Sequence, residues 1–192
     1  MINLVKIGKK LFPINRSLTG KGNLKTLKIL KYYTRQLKIK HFKTNKKVYD
    51  WKIPNEWNVN QAYVRDKFGK KIIDFKRNNL HLISYSQYFN KKVKKNLLIK
   101  HLYSNPNLKK AIPYITSYYK KNWGFCINHY NKIEIIKKYK SNVFFKILID
   151  SKFKKNGKMH YGEIYLPGVS KEEILITTYI CHPSMVNNEL SG

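Results

Sequence analysis

Ile174-Leu175-Ile176-Thr177-Thr178-Tyr179-Ile180 is a nearly unbroken apolar run, followed directly by Cys181-His182-Pro183-Ser184. Such a run predicts a strand buried on both faces, as in the parallel sheet of an α/β domain. His182 then follows the strand's carboxyl end, where open α/β sheets present their ligands. A neutral imidazole there can bind Zn²⁺. Ser184, Asn187, Asn188 and Glu189 follow closely enough to supply oxygen ligands or hydrogen bonds behind the ligands. Ser191-Gly192 can open the next helix. From the residues alone, a structural histidine is the commoner outcome of this pattern.

Upstream, Pro167-Gly168 breaks the chain. Before it, Val143, Phe145, Ile147 and Ile149 alternate on one face, Asn156-Gly157 supplies a turn, and Met159 to Leu166 returns, which predicts a hairpin. Asp150 and Glu163 flank that turn and could sit near one another across strands as paired carboxylates, but both read first as ordinary surface charge beside abundant Lys. An earlier hairpin is predicted from Val59 to Val64, a turn at Asp66-Lys67-Phe68-Gly69, and Lys71 to Phe75. Leu80 to Tyr85, Pro113 to Tyr119 and Gly124 to Ile127 read as strands, and 92–103 as a helix. Near the start, a short helix ends by Leu11, before Phe12-Pro13. Leu24, Leu27, Leu30, Thr34 and Leu37 recur at helical spacing over 24–38, and residues 16–23 form a turn in which Asn23 can cap that helix.

The formal charge is +30, but 36 of the 40 basic residues are Lys and only 4 are Arg, beside 20 Asn, 22 Ile and 2 Ala. That balance follows an AT-rich coding bias. Specific phosphate and base recognition draws on the planar fork of Arg, so this charge indicates a solvated surface rather than a specific nucleic-acid site. Cys126 and Cys181 form no CxxC pair, and both read as buried thiols. No apolar run reaches the length of a membrane span, and no secretory leader is evident, so a soluble cytoplasmic protein is expected. His41, His81, His101, His129 and His160 lack ligand spacing and read as structural or surface residues. Trp51, Trp57, Tyr114, Tyr118, Tyr119 and Trp123 read as core. Lys91-Lys92-Val93-Lys94-Lys95 reads as a solvated loop.

Residues 178–192, Thr178-Tyr179-Ile180-Cys181-His182-Pro183-Ser184-Met185-Val186-Asn187-Asn188-Glu189-Leu190-Ser191-Gly192, resemble the first metal motif of the DUF4910/DUF2172-type aminopeptidase-like proteins, relatives of the M28 zinc aminopeptidases. Further family-like stretches run in the same order. They are Leu11-Phe12-Pro13-Ile14-Asn15-Arg16-Ser17-Leu18-Thr19-Gly20, Val48 to Trp57, Asn79-Leu80-His81, Ile112 to Tyr119, and Trp123-Gly124-Phe125-Cys126. The resemblance implies an α/β fold: the start of a zinc-exopeptidase core at 1–47, an inserted β-rich domain at 48–166, and the first core strand and metal motif at 167–192.

It also implies that His182 matches the first metal-binding His, that Asn188 stands where relatives carry a metal-bridging Asp, and that Glu189 and Ser184 lie behind them. An amide is a poorer zinc ligand than a carboxylate. The resemblance places the general base and the other ligands after Ser191-Gly192. The chain is therefore expected to be an inactive N-terminal fragment of a zinc-dependent hydrolase acting on peptides or small amides. The alternatives are a non-catalytic binding module or a pseudoenzyme with a Lys-rich surface.

Overall fold

The computed structural model describes residues 3–184. In chain order the elements are α1 (Leu4–Leu11), α2 (Lys21–Tyr33), β1 (Lys38–Lys43), β2 (Lys47–Val48), β3 (Trp51–Lys52), β4 (Glu56–Arg65) and β5 (Lys71–Asp74). A 3₁₀ turn (Asn79–His81) follows, then β6 (Phe89–Lys94), α3 (Lys95–Lys100), β7 (Leu102–Tyr103), β8 (Phe125–Cys126), α4 (His129–Lys138), β9 (Phe144–Lys154) and β10 (Lys158–Glu163). The fold is mixed α/β, as expected. The described residues fall into two compact units, one up to Glu56 together with those from Lys154 onward, the other Trp57–Phe153. The β-rich insert expected over 48–166 compares with this second unit.

In the first unit, β1 and β10 pair antiparallel from Lys38 opposite Glu163 to Lys43 opposite Lys158. Helix α2 lies over β10, and Gly162 makes that approach possible: a Cβ there would stand 2.8 Å from Leu37 and 2.9 Å from Leu27 side-chain carbons. Asn3 caps α1 by accepting from the Lys6 N–H. Ile7, Leu11 and Ile14 then pack against Ile29, Leu30 and Tyr33 of α2. Helix α2 starts earlier than the leucine spacing predicts and stops at Tyr33. Its N-cap is Gly20, with φ of 107°, and Asn23 lies inside the helix.

The second unit is built on a four-stranded sheet in the order β5-β4-β9-β6. The β4–β5 hairpin forms as expected, with Tyr63 opposite Asp74. Phe145, Ile147 and Ile149 all point inward from β9 and are fully buried. Each such side chain contributes about 1.5–3 kcal/mol by leaving water. Tyr85 takes a φ of 65°, costly for an aromatic residue. It is held by a ring stack on Trp57 at 5.5 Å, while the Trp57 indole and the Ser151 hydroxyl both donate to the next carbonyl, that of Ser86.

Several expectations are corrected. Strands β9 and β10 do not form a hairpin: β9 pairs with β6 and lies beside β4, while β10 pairs with β1. The Asn156-Gly157 turn is closed by Thr44 instead, whose Oγ1 accepts from the Gly157 N–H at 3.0 Å and donates to the Lys155 carbonyl. Alternation and turn chemistry are local signals, whereas the pairing partner is decided by tertiary packing. Asp150 accepts from Asn60 and Glu163 forms an exposed ion pair with Lys40, in keeping with the reading of both as ordinary surface charge.

Leu80 to Tyr85 is not a strand, because the Asn78 side chain caps a 3₁₀ turn there, leaving only isolated bridges at Leu82 and Ser84. Of Pro113 to Tyr119, only Thr116 makes a bridge, and the helix expected over 92–103 is α3 alone, flanked by strands. The Lys91 to Lys95 run lies in β6 and the start of α3. Strand β6 is a sheet edge, where lysines discourage further pairing. Trp57 and Trp123 are core, but Tyr119 is 62% exposed.

The largest correction concerns residues 174–180, which have no regular secondary structure. Ile174, Leu175 and Ile176 are 92%, 87% and 89% exposed. A strand needs neighbours for its N–H and C=O groups, and no described strand pairs with this segment.

Candidate functional site

Helix α1 ends at Leu11, and the Phe12 N–H closes its last turn on the Gly8 carbonyl at 2.8 Å. The chain then loops from Phe12 to Gly20 before α2. This loop is held by an internal bond and by bonds to α2 and to Asn55. Ser17 donates its hydroxyl to the Thr19 carbonyl at 2.5 Å, and its N–H donates to the Asn23 side chain at 3.2 Å. The Thr19 hydroxyl donates to the Asn55 carbonyl at 3.0 Å. Two stretches recognised in the sequence, 11–20 and 48–57, are therefore joined in space.

Gly22 fixes how closely the loop lies on α2. A Cβ at that position would stand 1.9 Å from the Asn15 carbonyl oxygen and 2.7 Å from its carbon. No side chain fits there without backbone movement. The sequence places Arg16 in a turn, yet it is only 1% exposed. Its Nη1 donates to the Leu11 carbonyl at 2.7 Å, and its Nε donates to the carbonyl of His182 at 2.9 Å. Ser184 makes a second link by donating its hydroxyl to the Phe12 carbonyl at 3.0 Å. Pro183, between them, is buried.

The sequence-predicted site is thus divided. His182 and Ser184 are brought onto the loop of residues 12–20. The Nδ1 of His182 lies 3.8 Å from the Cys181 sulfur, and the Tyr179 ring stands edge-on at 6.4 Å. Cys181 is half-buried, less than expected. Asn188 and Glu189 lie outside the described residues. Among the described residues no group of three or more His, Cys, Asp or Glu could hold a metal ion. Zinc needs four ligands, or three with a water, so the described donors do not by themselves fit it.

Sequence reasoning missed Arg16. The available signal was its identity: one of only 4 arginines in a chain with 36 lysines.

The remaining titratable groups are structural. His81 and His101 each face a backbone carbonyl through Nδ1, those of Cys126 and Trp123, at 2.8 Å. The Nδ1 of His129 lies 3.0 Å from the Ser104 hydroxyl, and His41 stands opposite His160 across β1 and β10. Burial lowers the His81 and His160 imidazoles below their usual range. Burial also pushes the Cys126 thiol up to about 12, leaving it an inert core group. The Tyr139 hydroxyl is pushed up to about 12 by burial and by its bond to Asp66. Among the described residues no helix is long and apolar enough to cross a membrane.

The family model described as "Domain of unknown function (DUF4910)" matches residues 5–192. A Clostridium acetobutylicum protein named "Putative polysaccharide biosynthesis protein with aminopeptidase-like domain" is 46% identical over 184 residues, covering 96% of this chain and 41% of its own length. A crystal structure described as that of a "putative peptidase" from the same organism superposes with a TM-score of 0.89 at 44% identity. That match covers 98% of this chain and 43% of the solved one. The chain therefore spans about two fifths of the length of these relatives.

Proposed function

Because the chain belongs to the DUF4910 family, we propose that it forms the N-terminal part of an aminopeptidase-like hydrolase acting on peptide or small amide bonds, in which His182 is one ligand of a zinc site. The observation that carries this reading is the anchoring of residues 182–184: a histidine at the end of an irregular segment is held through its own carbonyl and through the Ser184 hydroxyl, two residues on, by a loop that has further hydrogen bonds of its own. A histidine serving only to fill surface would not require a buried arginine behind it. The names of the two relatives supply the reaction class.

In this reading residues 174–180 are a central strand of the peptidase core, paired with chain that the relatives carry and this sequence does not cover. That accounts for a β-branched, apolar segment standing exposed, since edge groups and apolar side chains are stabilised only by neighbours. The donors beside His182 would be Asn188 or Glu189 and residues of the uncovered portion. His182 alone holds no zinc, so the chain of residues 1–192 is proposed to be inactive by itself.

The test is zinc content, measured by elemental analysis, of a chain extended with the solved relative's remaining sequence, beside its His182→Ala variant. The expected result is stoichiometric zinc in the first and a large loss in the second. Equal zinc in both would remove His182 from the site.

A further inference from the structure

We propose that Arg16 is a positioning residue for His182, and that residues 12–20 form a cradle built to hold residues 181–184. The proposal rests on the reading of His182 as a zinc ligand, but its test involves neither metal nor turnover. A guanidinium buried to 1% exposure is costly, and an apolar side chain of similar volume would commonly fill such a space at less cost. What an apolar residue cannot do is bridge two carbonyls. Arg16 spans from the Leu11 carbonyl, at the end of α1, to the His182 carbonyl, 166 residues away in sequence. The fork geometry of arginine permits this, and the point charge of lysine does not reproduce it.

The second latch makes the arrangement more than a single fortuitous bond. Ser184 reaches the Phe12 carbonyl, so residues on both sides of buried Pro183 are tied to the same loop. The loop cannot drift, because Gly22 sets its distance from α2 and Ser17, Thr19 and Asn23 close its hydrogen bonds. Arg16 acts on the main chain of His182, which fixes the point from which the imidazole projects. This supplies the rigid support that a metal or catalytic histidine needs from the residues behind it.

Backbone amide order parameters on the full chain test this, comparing wild type with Arg16→Met, Arg16→Lys and Ser184→Ala at the N–H vectors of Cys181, His182 and Ser184. The expected result for Arg16→Met is a fall from rigid values of about 0.85 to below about 0.6 at these residues, with α2 and β1–β10 unchanged. Arg16→Lys, able to reach one carbonyl, should fall between Arg16→Met and wild type. Ser184→Ala removes only an outer side chain, so it reports on the second latch even if Arg16→Met fails to fold. Unchanged order parameters at these three residues in Ser184→Ala and in whichever Arg16 variants fold would overturn the proposal. So would a loss of order spread evenly over α2 and β1–β10, which is what a purely structural arginine would give. Failure here would leave the zinc measurement on His182→Ala unaffected.

Discussion

Replacing Gly22 by alanine sets two effects of opposite sign against each other. Gly22 is the second residue of α2, and alanine there improves helix propensity by up to about 1 kcal/mol. Against this, the new Cβ would lie 1.9 Å from the Asn15 carbonyl oxygen, about 1.5 Å inside ordinary contact. The obstructing atoms are backbone, so no side-chain rotation relieves the clash, and overpacking of this kind costs about 1–3 kcal/mol. Moving the loop away would also stretch the bond from the Ser17 N–H to Asn23, a further loss of about 1 kcal/mol. Subtracting the propensity gain leaves Gly22→Ala less stable by about 1–3 kcal/mol. Gly8, in α1, has no atom within 4 Å of the place a methyl group would take, so Gly8→Ala should gain about 0.5–1 kcal/mol from propensity alone. Urea unfolding of both variants at constant slope measures the difference. If Gly22→Ala is as stable as wild type, the first unit does not depend on the close approach of the loop to α2, and residues 12–20 are not a fixed cradle.

Acid should weaken the protein through His81. Its imidazole is depressed below the ordinary 6.5 by burial, so the unfolded chain binds the proton more readily. The stability due to the neutral imidazole is present above about 6.5 and is lost as pH falls through the lower folded value, at no more than about 1.4 kcal/mol per pH unit. His81→Asn, which can still donate to the Cys126 carbonyl, should flatten the profile of unfolding midpoint between pH 7 and 5; an unchanged slope would refute the assignment. Ile174→Lys with Ile176→Lys should raise the concentration at which the chain aggregates and leave the unfolding midpoint within about 0.5 kcal/mol, because both side chains lie about nine-tenths in water. A drop of several kcal/mol would show that these residues are packed in solution.

Legibility from sequence followed the range of the interactions. Helix α1 and the β4–β5 hairpin are set by neighbours a few residues apart, and spacing and turn residues identify both. The inward face of β9 was also readable, because Phe145, Ile147 and Ile149 alternate strictly. Its partner was not, since pairing with β6 at positions 89–94 leaves no trace in the residues around Asn156-Gly157. The same limit explains the strand expected over 174–180: apolar content describes what a segment would do beside neighbours, and none of the described strands is one. His182 was legible as a residue type after an apolar run. Its anchoring was not, because it depends on a residue 166 positions earlier.

The net charge and the identity of the charged residues carry different information in this chain. A surface of lysines tolerates exchange at nearly every position, because an ammonium in water needs no particular partner. A buried cation is costly unless its donors meet acceptors, and the arrangement of acceptors then selects the side chain. At residue 16 the acceptors are two carbonyls, one closing α1 and one preceding Pro183, and only a fork reaches both. Residues 11–16 and His182, which belong to the family-like stretches at opposite ends of the sequence, therefore meet at that guanidinium. If the proposed cradle holds, a change at either stretch is felt at the other, and substitutions at Arg16 and Ser184 should couple rather than add.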